Sequence, residues 1–266
     1  MNVRMVARDA MGRILRVKTK SGELVTPTFF PVINPNKLVI TPKEIEKEFK
    51  WNTIITNAYI IWKSKFKDEV LEKGLHKFYD FNGIIFTDSG AYQIWQYGDV
   101  EVSNREIVEF QQAIGSDIAT FLDIPMPHNI RLSEAKKGVK TTIERAKEAK
   151  ELIKESKALW VATVQGSVYS DLVRKCAKEL AKLSFDYYAC GTLKIATDVW
   201  EFKDQIGYFM IAHQHMPIAK PHHLWGLGHP ATFALFTLLG FDSFDSASYV
   251  LYAEDGRYTA GEGTVR

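Results

Sequence analysis

The sequence predicts a (β/α)8 barrel preceded by an N-terminal β-hairpin. Apolar runs of strand length recur along the chain, segments with helix signals separate them, and no Gly/Pro-rich linker or change of composition divides the 266 residues. Eight such runs follow the hairpin, at residues 28–32, 53–56, 84–87, 118–122, 159–164, 186–190, 223–227 and 243–245. We therefore expect residues 1–266 to form a single barrel domain, with the hairpin in residues 1–26.

The hairpin is predicted from the first 23 residues, where apolar and polar positions alternate. Turn signals occur at Asp9-Ala-Met-Gly12 and at Ser21-Gly22. The helical segments between the later strands carry start signals of their own. Pro42 follows Thr41 in a first turn, and Ser103 or Asn104 can cap the segment that continues Arg-Glu-Ile-Val-Glu-Phe.

Composition excludes several classes of protein. With 46% apolar and 25% charged residues the chain can bury a full core, and no run of about 18 apolar residues suggests a membrane span. The first residues do not form a signal peptide, so we expect a cytoplasmic protein. Two cysteines argue against a disulfide framework and against a multi-cysteine zinc site. A net charge of +2 permits nucleic-acid binding without indicating it.

Polar and small residues follow each apolar run, at the end of a barrel where catalytic groups gather. They are Asn34, Asn36, Asn57, Tyr59, Asp88, Ser89, Asp123, Gln165, Gly166, Gly191, Gly228, His229 and Asp245. Such a ring can present donors and acceptors in one plane, as recognition of a purine edge requires. Asp123 could accept two N–H bonds from a guanine-like ring, and Gln165 could bond its exocyclic oxygen. Taken singly, each residue is equally compatible with a loop cap.

Two aspartates stand at strand ends after aromatic or apolar runs. Asp245 follows Ser243-Phe244, and Asp88 follows Ile84-Ile-Phe-Thr87. A covalent, retaining glycosyl transfer needs one carboxylate that attacks carbon and one group that moves protons. Asp245 is our candidate nucleophile, although either aspartate alone is also typical of a turn or a helix cap.

Five strings carry a family resemblance: Thr87-Asp-Ser-Gly-Ala-Tyr-Gln93, Phe121-Leu-Asp-Ile-Pro125, Val164-Gln-Gly166, His223-Leu-Trp-Gly-Leu-Gly-His-Pro230 and Phe244-Asp-Ser-Ala-Ser-Tyr249. The sequence resembles the tRNA-guanine transglycosylases over nearly its whole length. It is most similar to the archaeal branch, which inserts 7-cyano-7-deazaguanine at position 15 of tRNA, the first step toward archaeosine.

The resemblance implies a role for each candidate residue. Asp245 would attack C1′ of the target guanosine and form a covalent aspartyl-ribose intermediate, and Asp88 would act as general acid and base. Ser89, Asp123, Gln165 and a backbone group near Gly191 would hold the base. Asp245 must be ionised to attack, whereas Asp88 must carry a proton in one half-reaction. We therefore expect their environments to separate the two pKa values.

The implied function is an enzymatic base exchange on tRNA, without a redox or nucleotide cofactor. Two alternatives remain: the same exchange on DNA, and a non-catalytic RNA-binding subunit of a heteromeric transglycosylase. The presence of both Asp88 and Asp245 speaks against a non-catalytic subunit, because a scaffold has no need of the pair.

The sequence departs from the family pattern in two places. Residues 190–197 read Cys-Gly-Thr-Leu-Lys-Ile-Ala-Thr, where the family has glycine and small apolar residues after the strand. The Cys-rich zinc site and the archaeal RNA-binding extension do not occur in these 266 residues. We therefore expect no cofactor in this chain. Either the zinc and the RNA-binding parts lie on a separate partner chain, or a dimer supplies the missing RNA surface, so that the protein acts as a homo- or hetero-oligomer.

Histidines offer a third alternative, a metal-dependent hydrolase. His213-Gln-His215 and His222-His223 lie close in sequence, and His-x-His is a metal-ligand spacing. Since the pattern falls late in the chain, at the end of a helix and in the next loop, we interpret these as surface or loop histidines and assign no metal ligands. For RNA phosphates we expect contacts from Lys63, Lys65, Lys67, Lys194 and Arg257, and Trp95, Tyr97 and Tyr249 could stack on bases or pack in the core.

Overall fold

The N-terminal residues form a small antiparallel sheet. The computed structural model describes residues 2–93, 100–191, 199–261 and 263–266. The sheet consists of β1 (Val3–Asp9), β2 (Gly12–Lys18) and β3 (Glu23–Val25). The predicted hairpin is confirmed, and β3 adds a third strand after the turn at Ser21-Gly22.

Eight parallel strands then close into a barrel in which the last strand pairs with the first. They are β4 (Thr28–Ile33), β5 (Thr53–Asn57), β6 (Ile84–Asp88), β7 (Ile118–Thr120), β8 (Leu159–Val164), β9 (Tyr187–Cys190), β10 (His222–Leu224) and β11 (Ser243–Ser246). This arrangement, with helices around the strands, confirms the predicted (β/α)8 fold.

Two of the strands end earlier than the apolar runs predicted. The run at residues 118–122 gives a strand that ends at Thr120, because the Leu122 N–H donates to Asn104 Oδ1 at 3.0 Å instead of to the neighbouring strand. The run at residues 223–227 ends at Leu224, because the chain turns at Gly226, whose φ of 73° favours glycine. In both places the backbone near the rim of the barrel therefore lies outside the strand.

Ten helices lie within the described part of the chain. They are α1 (Pro42–Lys47), α2 (Ala58–Lys63), α3 (Lys67–Lys73), α4 (Leu75–Tyr79), α5 (Asn104–Ala113), α6 (Leu132–Leu152), α7 (Ser170–Lys182), α8 (Val199–His213), α9 (Pro230–Leu238) and α10 (Ser248–Glu254). The last residues add a short ribbon of β12 (Tyr258–Ala260) and β13 (Gly263–Val265). None of the helices that the structure describes combines the length and the apolar character needed to cross a bilayer.

Helix starts follow the predicted signals. The hydroxyls of Thr41 and Ser103 each accept a bond from the backbone N–H three residues later. The carboxylates of Glu44 and Glu106 in turn accept from the backbone N–H of the cap residue, which completes two capping boxes. Of the two candidates at α5, Ser103 is therefore the cap. Asn104 lies inside the helix and uses its amide to bond Glu148 at 2.8 Å.

The barrel interior is filled below its carboxyl-terminal rim. Phe30, Phe86, Val161 and Tyr187 pack inside the strands with Leu15 of the N-terminal sheet, which covers the opposite end. Because this end is closed by apolar side chains, the open space of the barrel lies where the strands end.

Candidate active site

A cavity of about 510 Å³ opens at the carboxyl-terminal ends of the barrel strands. The predicted residues Asp88, Asp123, Gln165, Gly191 and Asp245 all contribute to its lining. They come from the ends of five different strands, so the topology brings together groups that are far apart in sequence. The cavity lies within the size range of sites for small molecules.

Asp245 is held through one of its two carboxylate oxygens. The residue lies on β11, and its side chain is 12% exposed. Its Oδ1 accepts the Gly226 N–H at 2.9 Å and lies 3.1 Å from His223 Nε2. No residue that the structure describes bonds to Oδ2. One oxygen is thus fixed while the other can approach an electrophile in the cavity.

Asp88 occupies a different electrostatic environment at the end of β6. Asn57 Nδ2 donates to its Oδ2 at 2.7 Å, and the backbone N–H groups of Ser89 and Gly90 also donate to the carboxylate. Burial, followed by repulsion from Asp123 and Asp245, raises the pKa of Asp88 to about 7. A carboxyl group with this pKa exchanges its proton readily at neutral pH.

The backbone after Asp88 depends on a glycine. Gly90 has a φ of 94°, and a Cβ at this position would lie 2.3 Å from Tyr59 Cβ. Asn57 is equally constrained, because its Oδ1 caps α2 through the Ile60 N–H at 2.9 Å. The local sequence therefore orients both the carboxylate and its amide donor.

Asp123 and Gln165 form a hydrogen-bonded pair across the cavity floor. Gln165 Nε2 donates to Asp123 Oδ2 at 2.6 Å, and both side chains are buried. Burial raises the pKa of Asp123 to about 6, although bonds from Gln165 and the backbone oppose the shift. The pair presents a carboxylate and an amide side by side, which suits a flat ring with adjacent N–H and carbonyl groups.

The two remaining predicted residues lie beside this pair and beside Asp88. Gly191 lines the cavity, and a Cβ at this position would come within 2.9 Å of Trp225 Cβ. Ser89 is buried next to Asp88 but lies outside the cavity lining, and its Oγ has no hydrogen-bond partner among the described residues. Most of the divergent segment 190–197 falls outside the described residues.

Three parts of this site carry no clear signal in the sequence. Asn57 stands at a strand end like the other ring residues, and nothing in the local sequence indicates its bond to Asp88. Trp225 walls the cavity and donates through Nε1 to Thr163 at 3.1 Å, and the Gly226 N–H holds Asp245. The string His-Leu-Trp-Gly contained these residues, but its spacing gave no indication of which side chains turn toward the cavity.

The interpretation of the histidines as surface or loop residues is wrong for three of the four. His222 and His223 are completely buried on β10, and His213 is 9% exposed. The His223 ring faces the barrel interior against Phe86 and Trp225, and the rings of His213 on α8 and His222 on β10 pack against each other at a centroid distance of 4.7 Å. Within the described ranges, no cluster of three or more His, Cys, Asp or Glu side chains is arranged to hold a metal ion.

The residues expected to contact RNA make internal contacts where the structure describes them. Lys63 pairs with Glu101 at 2.6 Å, Lys65 and Lys67 lie over Phe66 and Trp62, and Arg257 pairs with Asp255. Tyr249 donates to the Val32 carbonyl at 2.9 Å, which favours a packing role. Lys194, Trp95 and Tyr97 lie outside the described residues.

Comparisons with known proteins agree on one family. Residues 9–266 match the family model described as "Queuine tRNA-ribosyltransferase". A protein from Korarchaeum cryptofilum named tRNA-guanine(15) transglycosylase is 49% identical over 97% of this chain, and one of the same name from Thermococcus kodakarensis is 46% identical over 98%. A relative with this name from Archaeoglobus fulgidus is 45% identical over 97%. The chain spans 44%, 44% and 53% of these relatives' own lengths.

Proposed function

Because this chain belongs to the queuine tRNA-ribosyltransferase family, we propose that its barrel catalyses base exchange on tRNA, replacing a guanine at position 15 with 7-cyano-7-deazaguanine. The observation that carries the proposal is the pair of carboxylates at the ends of β6 and β11. Asp88, with a pKa of about 7, and Asp245, whose Oδ2 bonds to none of the described residues, line the same cavity. The relatives' name supports the choice of tRNA and of guanine.

The first half-reaction removes guanine. Asp245 Oδ2 attacks C1′ of the ribose as the bond from C1′ to N9 breaks, and protonated Asp88 gives its proton to the departing base. The products are free guanine and a ribosyl ester of Asp245. A pKa of about 7 keeps about half of Asp88 protonated at neutral pH, which supports this role.

The second half-reaction restores the glycosidic bond. Asp88, now ionised, takes the N9 proton of the incoming 7-cyano-7-deazaguanine while N9 attacks C1′ and the ester bond to Asp245 breaks. One glycosidic bond is lost and one is formed, and Asp88 regains its proton. The exchange needs no oxidant, reductant or energy carrier, which supports a domain that works without a redox or nucleotide cofactor.

We propose that the hydrogen-bonded pair of Asp123 and Gln165 recognises the base. Ionised Asp123 would accept the N1–H and the 2-amino group of the base, and the second N–H of the Gln165 amide would donate to O6. Ser89 Oγ and the backbone near Gly191 would complete the contacts. The buried Ser89 Oγ without a partner supports this assignment, because such a group is stabilised once a ligand bonds it.

RNA binding is proposed to need parts of the protein beyond this barrel, carried on the same polypeptide or on a second chain. The relatives are about twice the length of the matched region, which supports this idea. A metal assay and a cross-linking experiment on the protein purified from its host, with tRNA bound, would locate any zinc and any second chain at the RNA. Cross-links from tRNA to this chain alone would contradict the need for a second chain.

The test is transfer of labelled guanine into transcripts that carry guanine or adenine at position 15. Exchange only into the guanine transcript, with a ribosyl adduct on a denaturing gel, would support the proposal. Asp245→Asn should abolish both the label and the adduct, whereas Asp68→Asn, on the exposed surface of α3, should change neither. Labelling of a DNA oligonucleotide would point to DNA exchange. Tight tRNA binding without label or adduct would indicate a binding subunit.

A further inference from the structure

His223 is a buried polar residue that the reaction above does not use. It lies on β10 with no exposed surface. Its ring is surrounded edge-on by Phe86 and Trp225, at centroid distances of 5.3 and 4.4 Å, and more distantly by Phe30 and Tyr187. Because these aromatic rings fill the barrel interior, the imidazole is held in one orientation with only its two nitrogens facing polar partners.

A chain of hydrogen bonds leads from the barrel core through His223 to Asp245. Tyr187 Oη lies 2.6 Å from Ser243 Oγ, and Ser243 Oγ lies 2.8 Å from His223 Nδ1. His223 Nε2 then lies 3.1 Å from Asp245 Oδ1. All three residues behind Asp245 are completely buried, so water does not compete for these bonds.

The chemistry of the partners determines which atom donates in each of these hydrogen bonds. An ionised carboxylate can only accept, so His223 Nε2 must carry the hydrogen that Asp245 Oδ1 receives. In a neutral imidazole Nδ1 is then an acceptor and needs the Ser243 hydroxyl as its donor. Ser243 Oγ in turn can accept from Tyr187, whose pKa is raised by burial so that it remains a hydroxyl donor.

We infer that His223 is a positioning residue. Its neutral imidazole, in the Nε2–H tautomer, holds the nucleophilic carboxylate of Asp245, and the hydrogen bonds of Ser243 and Tyr187 fix that tautomer. Together with the Gly226 N–H, it occupies Oδ1 of Asp245 and leaves Oδ2 as the attacking oxygen. The role of Asp245 rests on the proposed function, whereas the tautomer is a property of the protein alone.

The arrangement serves both half-reactions. When Oδ2 bonds to C1′, Oδ1 becomes the carbonyl oxygen of the ester and keeps its two hydrogen bonds. When the incoming base displaces the ester, charge returns to a carboxylate whose Oδ1 already has two donors. Such preorganised donors lower the free energy of the transition state in which charge develops.

Nuclear magnetic resonance of protein labelled with ¹⁵N-histidine tests the tautomer without any activity assay. His223→Gln identifies the His223 signals by their loss. We expect Nε2 protonated and Nδ1 bare in the wild type. Ser243→Ala should shift the population toward the other tautomer, whereas Ser116→Ala, which removes a buried hydroxyl elsewhere in the barrel, should not. An Nδ1–H tautomer or an imidazolium in the wild type would overturn the inference.

Kinetics test the consequence for the nucleophile. His223→Leu should lower kcat by about 10²-fold, as expected for loss of one preorganised donor, with little change in KM for tRNA. His223→Gln, which keeps an N–H donor, should recover most of this loss. Ser243→Ala should cost about tenfold, and it carries the test if His223→Leu fails to fold. Tyr187→Phe should have a smaller effect, and Tyr188→Phe, on the outer side of the same strand, none.

These experiments distinguish failure of the positioning role from failure of the proposed function. Full kcat in both His223→Leu and Ser243→Ala would overturn the positioning role even if base exchange is confirmed. Absence of base exchange in the wild type would contradict the proposed function, and the resonance experiment would still decide the tautomer.

Discussion

Strand β11 separates two buried aspartates that have opposite surroundings. Asp242, just before the strand, receives the Arg13 guanidinium through Nε at 3.0 Å and Nη2 at 2.5 Å, and the His222 N–H at 2.7 Å. Asp245, three positions later, faces the cavity with the Gly226 N–H and His223 as its partners. Within the part of the chain that the structure describes, Asp242 at the amino-terminal end of the barrel is paired with an arginine, whereas Asp245 at the carboxyl-terminal end is paired with no lysine or arginine.

The same contrast appears on neighbouring strands. Asp117, before β7, binds Ser21 Oγ at 2.5 Å, the Ile85 N–H at 2.8 Å and His76 Nε2 at 3.0 Å. Asp88, at the far end of β6, has Asp123 and Asp245 as the charged groups that shift its pKa, and both repel its negative form. The carboxylate of Asp117 thus has hydrogen-bond partners from the N-terminal sheet, from β6 and from α4. Asp88 binds a proton more readily, because the neighbouring carboxylates repel its ionised form.

The two ends of the barrel therefore have separate roles. At the amino-terminal end, Arg13 and Ser21 of the N-terminal sheet reach buried aspartates and fasten the sheet to the barrel. At the carboxyl-terminal end, no lysine or arginine among the described residues forms an ion pair with Asp88 or Asp245, which lowers stability but gives reactive groups. We therefore expect substitutions at the first end to change the free energy of unfolding, and substitutions at the second to change activity.

The largest effect is expected from Asp245→Ala. Loss of a nucleophile that acts in both half-reactions should reduce base exchange by a factor of about 10⁴ or more. The thermal unfolding midpoint should stay the same or rise, because a buried carboxylate without a cation is removed. Parallel activity and unfolding measurements check this. A marked fall in the midpoint would mean that Asp245 contributes to the fold as Asp242 does, and the comparison would fail.

Arg13→Met should produce the opposite pattern. It leaves Asp242 buried without its cation, and breaking a buried pair in this way costs about 3–5 kcal/mol in the free energy of unfolding. Arg16→Met is the matched control, because Arg16 pairs with Glu23 at 2.6 Å on the exposed face of the same strand and should cost at most about 1 kcal/mol. Urea unfolding measures both. Equal costs for the two variants would show that burial of the pair is unimportant.

The sequence predicted much of the carboxyl-terminal end and little of the amino-terminal one. Asp88, Asp123, Gln165, Gly191 and Asp245 each end or follow an apolar run, so strand order places them around one rim, and the family resemblance distinguishes them from the other residues of that ring. The pairing of Arg13 with Asp242 joins residues 229 positions apart, and no local pattern indicates such a contact.

Histidines show where local patterns fail. His223 lies within a predicted strand, but alternation over three residues does not reveal whether its ring faces the interior, so its burial and its bond to Asp245 were missed. The bond from Asn57 to Asp88 likewise joins residues 31 apart at the ends of adjacent strands. Strand ends can be located from sequence, whereas partners across the barrel require the register of the sheet.

Asp88→Asn should sharpen the contrast through its dependence on pH. The folded-state pKa of about 7 lies above the unfolded value of about 3.9, so the native state binds more protons and stability falls as pH rises from about 4 to about 7. At pH 8 the variant should be more stable than the wild type by roughly 2 kcal/mol. This is less than the pKa shift of Asp88 alone would give at about 1.4 kcal/mol per pKa unit, because Asp88 is partly exposed to solvent. Unfolding at pH 4 and pH 8 measures this, and equal gains at both would contradict it.

The smallest effect is expected at the other end, from His76→Gln. Burial lowers the pKa of His76, but its bond to Asp117 and the attraction of that carboxylate outweigh burial, so the pKa is raised. Stability from this pair is therefore complete below about pH 6.5 and is lost as pH rises through the folded-state pKa. The variant should lose less than about 1 kcal/mol at pH 5.5 and almost nothing at pH 9, because His76 is only half-buried.

Because the two groups titrate over different pH ranges, each part of the curve of unfolding free energy against pH reports on one end of the barrel. Asp88→Asn should flatten the curve between about pH 4 and 7, and His76→Gln only above about pH 6.5. Unfolding of the wild type, both single variants and the double variant across pH 4–9 measures the two contributions, which should add because the sites lie at opposite ends of the barrel. If His76→Gln changed the slope of the stability curve near pH 5, or if the two effects failed to add, the two ends would be coupled, and their separation into a stabilising end and a reactive end would be wrong.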